Sequence, residues 1–145
     1  MTPNICFMTN QPAHFDNVRV LLARCGLTVW TSASADAHFR NPLHAFTACL
    51  IVDMPGLSGL EQLESLRTRG ISTPTILMAC AEDGLPTNRL GRTRVLDVLE
   101  RPLNTRRLLA WIEVILGVLA VLVADRDRKA KSVRSAEALP MLRSA

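Results

Sequence analysis

The stretch from Ala48 to Leu60, ACLIVDMPGLSGL, constrains this chain more than any other part of it. Cys49, Leu50, Ile51 and Val52 are apolar without alternation, which predicts a strand buried on both faces. Asp53 closes the run, and Pro55, Gly56, Ser58 and Gly59 follow as turn residues. From Leu60 the spacing becomes helical, with Leu60, Leu63 and Leu66 on one side and Glu61, Glu64 and Arg67 on the other. Strand, turn and helix in that order put a carboxylate at the carboxyl end of a strand, where open α/β sheets hold their ligands. The competing reading is that Asp53 only caps a turn.

The same alternation extends through the chain. Asn4 to Met8 is a short apolar run, and Phe15, Val18, Leu21, Leu22 and Cys25 recur at helical spacing, with Gly26 as a C-terminal cap. Leu27 to Thr31 is rich in β-formers, and Ser34 can cap a short helix stopped near Asn41-Pro42. Gly70 ends the central helix, Thr75 to Cys80 is another buried strand, and any helix between Ala81 and Arg94 is short, because Gly84, Pro86 and Gly91 interrupt it. Val95 to Leu99 supplies a fifth strand, and Asn104 caps a helix beginning at Thr105. Five strands alternating with about five helices predict an α/β fold: a flavodoxin-like, doubly wound, five-stranded parallel sheet with an extended C-terminal helix.

That last helix is apolar nearly all round. From Leu108 to Ala124 only Glu113 is charged; Leu108, Ile112, Ile115, Leu119 and Leu122 form a stripe that Leu116 widens, and Trp111 adds to the other side. One face can be covered by the domain's own sheet, while the remainder needs a partner. A homodimer interface through Leu108, Trp111, Ile112, Ile115, Leu116, Leu119 and Leu122 is the expectation. Residues 1–124 read as one domain and residues 125–145 as a basic tail, either frayed or a helical extension.

With 145 residues, 48% hydrophobic and 21% charged, the chain excludes wholesale disorder. The net charge of +4 is uneven: residues 1–84 carry five Arg against seven acids, and the excess of base lies beyond them. Cys6, Cys25, Cys49 and Cys80 fit neither a zinc pattern nor a C-x-x-C pair, so buried free thiols are expected. No signal peptide is evident, and a cytoplasmic protein is expected. His14, His38 and His44 lack metal-ligand spacing and read as surface or helix-flank residues.

The motifs LIVDMPGLSGLEQL, TPTILMA and VLDVLERPLN together resemble the receiver domain of bacterial two-component response regulators over roughly residues 4–119. The resemblance implies that Asp53 stands at the phospho-accepting position. It also implies a degenerate pocket. Thr9 and Asn10 fall where receivers carry the acidic pair that holds a divalent cation. Ala79 replaces the hydroxyl after the fourth strand, Arg101 replaces the lysine after the fifth, and Val98 replaces the aromatic that reports activation. Met54-Pro55 follows Asp53 directly, whereas receivers place two residues between. Either the loop is shorter or Ile51 takes the acceptor position; the shorter loop fits the buried run better. Arg101, a planar fork, suits a standing pair with Asp53.

The expected function is therefore a stand-alone, phosphorylation-independent interaction module, not an enzyme, with no cofactor and no metal. Its expected partners are a second copy of itself and a sensor kinase or other signalling protein. Three alternatives stand beside it: a phosphorylatable single-domain regulator using Asp53, a membrane anchor, or DNA binding through the tail. Leu108 to Ala124 spans about 26 Å as a helix, short of a roughly 30 Å hydrocarbon core, and contains Glu113. The tail is basic but offers no second helical domain, which argues against nucleic acid as a partner.

Overall fold

A computed structural model of the chain describes residues 4–101 and 103–117. The strands are β1 (Asn4–Thr9), β2 (Thr28–Ser32), β3 (Thr47–Asp53), β4 (Thr75–Ala79) and β5 (Asp97–Glu100). All pair in parallel in the order β2-β1-β3-β4-β5. The unbroken apolar runs became the three central strands: β1 and β4 are buried along their whole length and β3 from Cys49 to Val52. The edge strands β2 and β5 are only part-buried.

Helices α1 (Asp16–Arg24), α2 (Ala35–Arg40), α3 (Ser58–Thr68), α4 (Thr87–Thr93) and α5 (105–117) cover both faces of the sheet. Alternation along each strand divides the core in two. Ile5 and Phe7 of β1 join Val18, Leu22, Leu108 and Ile112 under α1 and α5, while Cys6 and Met8 join Leu63, Leu66 and Leu77 on the other face. The caps follow the sequence. Ser34 Oγ accepts from the Ala37 N–H at 3.0 Å, and Asn104 Oδ1 from the Arg107 N–H at 3.0 Å. Gly59 lies where α3 meets the sheet: a Cβ there would sit 3.2 Å from Leu77 Cδ1 and 3.3 Å from Val52 Cγ1. The apolar face of α3 can therefore approach the sheet closely.

Several expectations need correction. The fifth strand starts at Asp97 instead of Val95, because Arg94 ends α4 in the left-handed region (φ 56°) and the chain must turn before it can pair. Arg67 does not belong to the solvent face of α3. Its guanidinium is drawn inward and donates to the carbonyls of Thr93 (2.8 Å), Ile71 (3.1 Å) and Thr73 (3.0 Å) and to Thr75 Oγ1 (3.2 Å). His38 is fully buried, with Nδ1 3.4 Å from both Cys6 Sγ and Ser32 Oγ, and its ring stacked on Trp30. Of the free cysteines, Cys6 and Cys49 are buried, but Cys25 is exposed and Cys80 half-buried.

The expected dimer stripe also changes. Leu108 and Ile112 are buried in the chain's own core, and Ile115 and Leu116 pack against it. Trp111 donates its indole N–H to Asp97 Oδ2 at 2.8 Å, and Arg107 bonds the same carboxylate. These residues fasten α5 to β5; the apolar side chain that α5 leaves open is Val114, 55% exposed. Leu119 and Leu122 lie outside the described residues, as does the tail from residue 125. Among the described residues, no helix is long and apolar enough to cross a membrane.

Candidate functional site

The strand order reverses between β1 and β3, and a crevice opens at their carboxyl ends. Thr9 and Asp53, the last residues of the two strands, are paired across that point. They line a cavity of about 220 Å³ together with Asn10, Gln11, His14, Pro55 and Arg101. Asp53 ends β3 at this cavity, whereas Ile51 is buried in the core. The carboxylate side chain is only 11% exposed, so it requires a partner.

Arg101, which follows β5, provides that partner. Its Nε donates to Asp53 Oδ1 at 2.7 Å, with Nη2 at 2.5 Å from the same oxygen. Nη2 also donates to the Met54 carbonyl at 3.0 Å, and Nη1 faces Cys80 Sγ at 3.4 Å and Asp83 Oδ2 at 3.9 Å. Burial alone would lower the pKa of this guanidinium. Its hydrogen bonds to Cys80 and Asp53 and the attraction of Asp53 outweigh burial and raise it, so the positive charge is permanent. The backbone places it: the Arg101 N–H bonds the Ala79 carbonyl at 3.2 Å, prolonging the β4–β5 ladder by one residue.

No protein-family model matches the chain. It is 31% identical over 107 residues to the transcriptional regulatory protein FixJ of Azorhizobium caulinodans, covering 70% of this chain and 49% of that protein. Nodulation protein W of Bradyrhizobium diazoefficiens is 28% identical over 116 residues, covering 79% and 48%. The chain thus spans about half the length of the curated relatives it matches. Among solved structures, the response regulator StyR superimposes with a TM-score of 0.70 at 23% identity, covering 96% of this chain and 71% of that one. The CheY-like receiver domain of Methanospirillum hungatei superimposes at 0.64 with 19% identity, covering 81% and 95%. The chain has the fold of a response-regulator receiver domain.

Within this receiver fold the remaining pocket positions sort by distance from the cavity. Thr9 and Asn10 line it, but the Thr9 hydroxyl accepts from the Gln11 N–H at 3.0 Å and so is tied into the turn after β1. Met54 contributes its carbonyl, while its side chain is buried. Ala79 is buried and Val98 belongs to β5; neither lines the cavity, so these two do not belong to a pocket wall. Gln11, His14, Pro55, Cys80 and Asp83 were not foreseen. Asp83 had a readable signal, standing three residues after Cys80, and its carboxylate accepts from the Cys80 N–H at 2.7 Å as a cap would.

The divalent cation that receivers use does not fit these residues. The Asp53 carboxylate and the Met54 carbonyl, the groups that could face it, already accept from Arg101, and the Asp83 carboxylate faces the same guanidinium at 3.9 Å. A guanidinium within bonding distance of Asp53 and Met54 would repel a second cation there. Among the described residues, no three His, Cys, Asp or Glu side chains converge to replace them.

Proposed function

We propose that this receiver acts in two-component signalling as a phosphorylation-independent module that binds other signalling proteins, a sensor kinase being the first candidate. The observation that carries the reading is the Asp53–Arg101 pair. An attacking carboxylate oxygen must be free and must have its charge screened from the incoming phosphoryl group by a cation. Here Oδ1 is held by two guanidinium nitrogens, and no hydroxyl stands at Ala79 to receive a phosphoryl oxygen. Losses in a site that works as a unit each cost orders of magnitude. Partner binding then depends on the surface of the fold alone.

One observation favours the alternative of a phosphorylatable regulator: both contacts from Arg101 fall on Oδ1. Incubation with acetyl phosphate or a cognate kinase, followed by phosphate-affinity electrophoresis, separates the two. The expected result is no shifted band. A band that appears in the native chain and disappears in Asp53→Asn establishes the alternative.

A further inference from the structure

We infer that Arg101 serves this receiver fold as a resident cation, bridging Asp53 and the Met54 carbonyl in the same crevice where the family resemblance places a divalent ion beside Thr9 and Asn10. The inference rests on the inert-pocket reading above and extends it to what holds the loop between β3 and α3. A single guanidinium bridges the Asp53 carboxylate (2.7 Å) and the Met54 carbonyl (3.0 Å), the last side chain of the strand and the first peptide oxygen of the loop. Its other nitrogen faces Cys80 Sγ at 3.4 Å and Asp83 Oδ2 at 3.9 Å. Two carboxylates and a peptide oxygen around one positive centre are the surroundings a hard cation takes, and here the chain fills them itself.

The shape of arginine is what permits this. A lysine at the same position is a point charge whose ammonium would have to reach the carboxylate and the carbonyl from one centre, whereas the planar fork presents separate N–H groups to each. The side chain is anchored by a backbone bond to Ala79, so the cation is delivered by the sheet and needs no uptake from solution. The loop is accordingly held by the chain's own cation and is indifferent to divalent metal.

The test uses the full chain, with loss of the free-Mn²⁺ resonance as the binding readout and thermal unfolding as the second. The native chain is expected to leave the Mn²⁺ signal unchanged and to unfold at the same temperature in EDTA and in millimolar Mg²⁺. Arg101→Ala and Arg101→Met, the second keeping the length of the side chain, are expected to unfold earlier. Both are expected to bind Mn²⁺ at least about tenfold more tightly than the native chain, since a positive charge has left the coordination sphere. Mn²⁺ is expected to restore part of the lost unfolding temperature, and Asp53→Asn added to either variant to abolish the gain. Saturable Mn²⁺ binding by the native chain overturns the inference. So does failure of every folded Arg101 variant to bind more Mn²⁺ than the native chain. Phosphorylation of the native chain, by contrast, would sink the proposed function and leave these metal measurements standing.

Discussion

His38 shows what one polar side chain in a core does. Burial, and secondly the nearby His44, push its pKa down to about 4, and Nε2 has no hydrogen-bond partner. The unfolded chain takes up the proton near 6.5, so it binds more protons than the folded one between 6.5 and about 4. Stability is therefore full above 6.5 and falls as pH drops through that window, by up to roughly 3 kcal/mol. Denaturant midpoints measured across the window should show this slope, and a folded His38→Leu variant should flatten it. The thiols separate by the same physics. Burial raises Cys6 and Cys49 to about 12, while Cys25 is exposed. Ellman's reagent at pH 8 should modify Cys25 first and reach Cys6 and Cys49 only when the protein unfolds; rapid native labelling of Cys6 would contradict the burial. The burial of Cys6 and Cys49 was expected from their apolar segments, whereas the exposure of Cys25 and the inward turn of His38 were not legible in the sequence. His38 sits in a stretch with weak periodicity, and only the stacking on Trp30 and the contacts to Cys6 and Ser32 turn it inward.

At the scale of elements, α3 and α4 are bound by arginines. Arg67 spans the carbonyls of Ile71, Thr73 and Thr93, and Arg89 pairs with Glu64 through two hydrogen bonds. Replacing Arg67 by Met strands several acceptors at once and should cost roughly 2–4 kcal/mol in urea unfolding. Because the Arg89–Glu64 pair is more exposed, Arg89→Ala should lower the urea midpoint far less than Arg67→Met does. The elements themselves were largely readable, since an apolar run with no alternation admits few structures, and β1, β3 and β4 came out as such runs. The exceptions have local causes. The start of β5 depends on a left-handed arginine, a conformation that glycine signals and Arg94 does not. Arg67 occupied a helical position facing away from the leucines, and its inward reach depends on where the α4 end comes to rest.

At the scale of the whole molecule, α5 is the element through which a second copy is expected to dock. Its inner face is committed to the sheet, so a second copy would meet the side that carries Val114. Light scattering at tens of micromolar is expected to report a dimer, and Val114→Glu to shift it toward monomer; a native monomer at that concentration removes the self-association proposal. The candidate site was legible in part. The strand-end motifs located Asp53 and Arg101, and the fork chemistry of arginine foretold their pairing. The grip on Met54, Cys80 and Asp83 was not legible, because it is assembled from separate loops that meet only once the sheet has formed.

The direct step from Asp53 into Met54-Pro55 sets a further boundary. Thr9→Asp, Asn10→Asp and Arg101→Lys would each be a single exchange at the crevice and Ala79→Thr one outside its lining, and a protein engineer could install all four. None of them adds backbone. A chain rebuilt in this way would keep the direct step from Asp53 into Met54-Pro55, so bringing the loop to the length that the receiver resemblance implies would take inserted backbone as well as new side chains.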